Sequence, residues 1–522
     1  MPIDKVLRGL TERASVSCAL LALSLCAGTA ARAEAPLSAI DWLSQSVAVP
    51  VAQPLPPEEP AVSAGALPAD VAVSTLDGPA PDAAGLLSPQ ATGLPRALWG
   101  LGRTDEIAAA LTAADPGNLP ALQSLLLTLL LAEAEAPADA AGRGVLLLAR
   151  IDRLLAMGAL DQAQALLEAG GSQAPDFFRR SFDVALLTGT EDRACEVMQA
   201  APDLAPTFPA RIFCLARSGD WNAAALTLRT AQALGFVTEE EDALLSRFLD
   251  PDLYEGEGDL PAPARPTPLG WRMMEAVGEP LSTHTLPIAF SHAELRDAAG
   301  WKAQIEAAER LARAGAIEPN LLLGLYTERL PAASGGVWDR VEAFQRLDAA
   351  LTSGNAEEAS RRLPAAWAQM TGAELEVPFA TLFSERLADL TLTGPAAALA
   401  FRIGLLSPRY ERIAMARTAA DPAEAFLVGV ARGALAGVAP QDAMGRAVAQ
   451  AFLTPALAPD AQVLLDQNRL GEALLWAMDR IATGVQGDLR GVTDGLTLLR
   501  HVGLEDTARR GALELLLLER RG

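Results

Sequence analysis

The chain has 522 residues, half of them hydrophobic, and a formal net charge of −23. That length exceeds one small core and that apolar content excludes a wholly disordered polymer, so several domains or one elongated array are expected. The acidity excludes nucleic acid as a partner, because a phosphate backbone requires concentrated positive charge and no basic stripe occurs.

Residues 1–33 read as a signal peptide. Lys5, Arg8 and Arg13 give a positive start, Ala14 to Ala31 is uncharged and mostly apolar, and Ala31-Arg32-Ala33 puts small residues at both cleavage-determining positions. Cleavage after Ala33 predicts a periplasmic protein. The alternative is a membrane anchor formed by the uncleaved signal, but the 18 residues from Ala14 to Ala31 are diluted with Ser, Thr and Gly and are marginal for spanning a bilayer. Cys26 follows Leu25, where a lipoprotein box needs a small residue. The segment carries four basic and two acidic side chains, so its removal changes the net charge from −23 to −25.

Residues 34–95 form a Pro/Ala-rich acidic stretch. No Lys or Arg occurs between Arg32 and Arg96, and nine prolines fall within Pro50 to Pro89. Such a composition cannot bury enough apolar surface to offset the entropy of ordering it, so a disordered linker is expected. Ahead of the prolines, Ile40, Asp41, Trp42 and Leu43 make an apolar knot. It suits a docking motif on a tether, or a short turn that folds back on the protein's own surface.

From Arg96 onward the pattern is helix after helix. Ile151, Leu154 and Leu155, then Leu160, Ala163, Leu166 and Leu167, recur at intervals of three and four. Alternating runs of β-branched residues are missing, so the fold class is all-α. The run Leu125 to Leu131, bounded by Gln123, Ser124 and Glu133, is too short for a membrane and predicts a helix buried on all sides. Helical arrays are expected over 96–248 and 301–522, with an irregular junction over 249–300.

A spacing pattern recurs along these arrays. Gly158 is followed by Ala163, Gly189 by Ala194, Gly219 by Ala224, Gly354 by Ala359 and Gly503 by Ala508, always at plus five, and Asn468 with Ala473 is a sixth case. Glycine or asparagine can end a helix in the left-handed conformation, and an alanine one turn into the next helix lets two helices approach closely. The glycines at 158, 189 and 219 are 31 and 30 residues apart, the spacing of stacked hairpins. Gly219, Trp221, Ala224 and Ala231 resemble the second half of a tetratricopeptide repeat, which carries Gly, an aromatic at plus two, and Ala at plus five and plus twelve. The resemblance covers residues 144–235 best, with echoes at 340–370 and 460–517, and it implies an α-solenoid of stacked hairpins. The layout also resembles uncharacterised exported bacterial helical-repeat proteins, some labelled "antifreeze", although this chain has no Ala-Ala-Thr array to bind ice.

After cleavage two cysteines remain, Cys195 and Cys214. They flank the connection Pro202 to Pro209 at nearly equal distances, so two antiparallel helices joined there bring them together and a disulfide is expected. Residues 249–268 break the helical pattern. Asp250, Asp252, Glu255, Glu257 and Asp259 lack the spacing of a calcium loop, and His284 and His292 lack companion ligands, so no metal is expected.

No nucleophile elbow, phosphate loop, HExxH or dinucleotide glycine pattern is present. No catalytic residues, cofactor or enzymatic activity are therefore expected. The reading is an exported periplasmic scaffold that binds an envelope protein or peptide, with no membrane span after cleavage. The alternatives are a peptidoglycan enzyme or its regulatory subunit, and a self-assembling structural protein.

Overall fold

A computed structural model describes residues 80–171 and 174–518. The expected signal peptide, most of the expected linker and the Ile40–Leu43 motif lie outside the described residues. Among the described residues the protein is all-α, and its β pairing is one isolated bridge between Leu87 and Ala132.

Three helices come first: α1 (Pro89–Thr92), α2 (Thr104–Ala113) and α3 (Pro120–Leu131). Hairpins follow, α4 (Val145–Ala156) with α5 (Leu160–Gly170), α6 (Pro175–Thr188) with α7 (Glu191–Ala200), and α8 (Phe208–Arg217) with α9 (Trp221–Leu234). Next are α10 (Glu239–Leu249), α11 (Pro268–Ala276), α12 (Trp301–Arg313) and α13 (Pro319–Thr327), then the long pair α14 (Val337–Thr352) and α15 (Ala356–Thr371). The remainder is α16 (Glu376–Ala388), α17 (Gly394–Leu405), α18 (Tyr410–Ala416), α19 (Pro422–Arg432), α20 (Ala443–Leu453), α21 (Pro459–Asp466), α22 (Leu470–Val485), α23 (Leu489–His501) and α24 (Glu505–Leu517). Proline begins many of these helices, where its missing N–H costs nothing and its fixed φ suits the first turn.

All six turn positions named from the sequence hold a left-handed backbone, with φ of 77° at Gly158, 78° at Gly189, 85° at Gly219, 66° at Gly354, 55° at Asn468 and 86° at Gly503. Each is followed within three residues by the next helix. The six alanines five positions on are all buried, Ala194 being the most exposed at 8%. Trp221, by contrast, leaves 51% of its surface in solvent, leaning on Phe248 with ring centroids 6.4 Å apart.

Among the described residues the core is divided in three. The largest part joins residues 94–187 and 271–293 to residues 401–513. A second fills the space among α12 to α17, where Tyr326 Oη donates to Glu309 at 2.6 Å and Arg340 pairs with the same carboxylate. The third lies among α6 to α11. Leu125, Leu126, Leu129, Leu130 and Leu131 of α3 are buried, but Ser124 is exposed and Leu127 and Thr128 are half-buried, so one face of α3 meets solvent and the helix is not covered on all sides as expected. No helix among the described residues is long and apolar enough to cross a membrane.

Contacts between early and late helices hold the largest core together. Both oxygens of Glu514 in α24 accept from the Ala121 N–H that opens α3, at 3.0 and 2.9 Å. Gly471 in α22 donates its N–H to the Leu98 carbonyl at 2.8 Å, and the Trp99 ring covers the space a Cβ there would need. Residues 80–87 are fixed by Arg150, which donates to the carbonyls of Ala84, Leu130 and Ala132 at 2.6, 2.7 and 2.9 Å. Burial pulls its guanidinium down to about 10, with Asp82 pulling the other way. Asp82 in turn accepts from the N–H groups of Gly144 and Leu147, satisfying the start of α4.

The 249–300 segment holds a short 3-10 turn at Pro251–Tyr254, α11, and a 3-10 segment at Ile288–Leu295 that packs on α12, α6 and α4. His292 is buried, its Nε2 2.6 Å from the Gly158 carbonyl, which can only accept, so this nitrogen carries the proton. Burial holds its pKa below the usual histidine range. His284 is exposed.

Candidate functional site

Four helices converge on a cavity of about 810 Å³. α6 supplies Arg179, Phe182 and Asp183, and the 202–207 connection with the first turn of α8 makes a second wall. The 235–238 turn and α10 make a third, and residues 260–267 with α11 complete it.

The local chemistry explains why these walls hold their shape. α8, α10 and α11 each start at a threonine, and all three threonines line the cavity. Thr207 accepts from the Ala210 N–H at 3.2 Å, Thr238 from Glu241 at 3.2 Å and Thr267 from Gly270 at 3.0 Å. Each such cap stabilises its helix by about 1 kcal/mol. Pro202, Pro206, Pro261, Pro263 and Pro266 restrict the backbone of the connecting segments, and Pro209 sits in the first turn of α8. Phe208 and Phe236 stack across two walls with centroids 5.0 Å apart.

Cross-ties fix the helices to one another. Cys195 in α7 and Cys214 in α8 are disulfide-bonded, with Cα atoms 5.0 Å apart, behind the connection that forms the second wall. Arg272 in α11 donates through Nε and Nη2 to the buried Glu191 of α7, at 3.0 and 2.9 Å. Arg272 also pairs with Glu275, which meets Arg296 at 2.6 Å. The proline-rich wall is held by the Leu260 N–H donating to Glu279 at 2.7 Å and by Arg247 donating to the Gly258 carbonyl at 3.0 Å.

Four buried polar atoms of this framework have no hydrogen-bond partner among the described residues: Arg179 Nε, of a residue otherwise engaged, Glu191 Oε2, Arg247 Nε and Asp183 Oδ2. Asp183 is 7% exposed, it lines the cavity, and its Oδ2 has no hydrogen-bond partner among the described residues. Burial pushes its carboxyl up to about 7; Arg179 and Arg180 oppose the rise and Asp152 adds to it. Arg180 is committed elsewhere, gripping Asp152 with two 2.7 Å bonds. Of the three other carboxylates of the lining, Asp203 and Glu240 are exposed, while Glu241 is half-buried and its Oε2 accepts from the Thr238 N–H at 2.9 Å.

Of the residues singled out in the sequence, the two cysteines are brought together, while the turn glycines, Asn468 and the buried alanines are distributed along the chain and none lines the cavity. Asp183 was not singled out. The sequence does place it on one helical face with Arg179, Phe182 and Leu186, a charge in an apolar stripe. The capping threonines 207, 238 and 267 are 31 and 29 residues apart, a second trace of the hairpin period. Among the described residues no group of three side chains is arranged to hold a metal ion. A second cavity of about 540 Å³ lies beside α15, α16 and α17, but its buried acid, Glu376, is already engaged.

Compared with known proteins, the chain matches no family model, no curated protein and no solved structure.

Proposed function

We propose that the protein is an exported, periplasmic helical-repeat scaffold of the tetratricopeptide-like solenoid kind, which binds a peptide or partner domain at the cavity between α6, α8, α10 and α11. The observation that carries this reading is a preformed recess with a buried carboxyl whose Oδ2 has no partner among the described residues, braced by a disulfide, three caps and an ion-pair network. Ligand sites are typically concave, mostly apolar and supplied with few polar groups. The hairpin spacing supports the repeat assignment, and the basic start and small-residue cleavage motif of residues 1–33 support export.

The test is photo-cross-linking in cells. A cross-linking residue at Phe236, on the cavity, is expected to trap a discrete envelope protein or peptide. The same residue at Met415, exposed on α18 and outside the cavity lining, is expected to trap none. Equal labelling from both positions, or none from either, removes the scaffold reading.

One observation favours an envelope enzyme as the second reading: a carboxyl near 7 in a cavity has the proton affinity of a general acid. Hydrolysis of peptidoglycan by the purified protein, abolished by Asp183→Asn, would establish it.

A further inference from the structure

If the cavity is a binding site, as proposed, its lining also selects the chemistry of what binds. Among the described residues Asp183 Oδ2 is a buried acceptor without a donor, and such groups are a small minority in folded proteins because the lost hydrogen bond to water is not replaced. The lining does hold donors, Arg179 one turn away among them, but none is bonded to Asp183 Oδ2, and Phe182, Leu269, Met273 and Met274 of the same lining offer none. Its neighbour Arg180 is held by Asp152. Asp183 lines the cavity and keeps 7% of its surface open, so a donor for this carboxyl can be delivered by an occupant of the cavity.

Charge selects the donor. Four carboxyl groups line the cavity against three arginines, and the whole chain carries −23, a field that concentrates cations and repels anions. An anionic group would sit beside a buried carboxyl, where repulsion in a poorly solvated wall is least screened. A hydroxyl would satisfy the hydrogen bond but gain nothing from the field. An ammonium does both.

We propose that the cavity takes an apolar molecule headed by a protonated amine, the ammonium donating to Asp183 while the apolar body lies against Phe208, Phe236 and Met273. A volume of about 810 Å³ accommodates a drug-sized body or a few residues of peptide. Two sources carry this headgroup, the N-terminal ammonium of a peptide that begins with apolar residues and a free alkylamine.

Calorimetric titration of the full exported chain tests the assignment with two matched pairs of probes. One pair is the tripeptide amide leucyl-leucyl-phenylalaninamide with a free and with an acetylated N-terminus; the other is hexylamine and 1-hexanol. Each amine is expected to bind about tenfold more tightly than its uncharged counterpart, the usual gain from a hydrogen bond to a charged group. Asp183→Asn is expected to bring each pair within about twofold. Tighter binding of the peptide than of hexylamine identifies a peptide N-terminus as the source, and the reverse identifies a free amine. Equal affinities within both pairs on the wild-type chain, absence of binding by all four probes, or an amine preference that survives Asp183→Asn each overturns the proposal. The wild-type comparison decides even if the variant folds poorly. A partner trapped at Phe236 without any amine preference keeps the scaffold reading and removes this one. An amine preference without a trapped partner does the reverse.

Discussion

At Asp183 the cost of burying a charge is written into the folded state. Its carboxyl titrates at about 7 in the native protein and at the ordinary aspartate value of 3.8 when unfolded, so folding favours its protonated form. The native advantage is complete below about pH 4, declines as pH rises towards 7, and is constant above. Across that window the wild type loses stability relative to Asp183→Asn by about 1.4 kcal/mol per pH unit. Paired denaturation curves at pH 4, 5, 6, 7 and 8 check this: the variant gains on the wild type up to pH 7 and then runs parallel. A difference independent of pH would show that Asp183 is solvated. This residue was hidden in the sequence for a physical reason. The chain holds 65 acidic side chains, and what separates this one is burial without a partner, a property of neighbours on three other helices.

At the level of elements, the hairpin turns were legible because they obey local rules. A left-handed residue closes one helix, and a small residue one turn later admits a close neighbour; both constraints fall within six positions of sequence. The cysteine pair was legible on similar grounds, since two helices with a connection midway between the cysteines must place them opposite each other. Its removal tests how far the cavity depends on it. The Cys195→Ser, Cys214→Ser double variant is expected to lose about 3 kcal/mol, the chain-entropy value for a loop of this length, in guanidinium unfolding. Glu191, held by Arg272, still ties α7 to α11 when the α7–α8 disulfide is gone, so weakened probe binding is expected rather than loss of fold. The convergence of Thr207, Thr238 and Thr267 on one void was not legible. Their intervals match the hairpin period, but that they face one another depends on how successive hairpins are stacked.

For the molecule as a whole, the informative contacts join residues hundreds of positions apart, and no local pattern announces them. Trp99 against Gly471 is one. A Cβ at Gly471 would lie 2.4 Å from the Trp99 ring, so Gly471→Ala is expected to cost about 1–3 kcal/mol through overpacking. Gly511 in α24 is also helical, yet nothing lies within 4 Å of its added Cβ, so Gly511→Ala is expected to stabilise by about 0.5–1 kcal/mol. Thermal melts of the two variants should therefore move in opposite directions, and movement of both in one direction would mean that α22 does not sit against residues 98–102. The sequence predicted two arrays with a junction between them; the largest core draws on residues from both. The cap that Glu514 places on Ala121, across 393 residues, adds a timetable. Helices synthesised first keep an uncovered flank until the last helix is delivered, and a chain secreted N-terminus first, as proposed, would present that flank to chaperones and proteases throughout its transit. Completion is set by arrival of the tail, so damage near residue 514 should surface as degradation of the front.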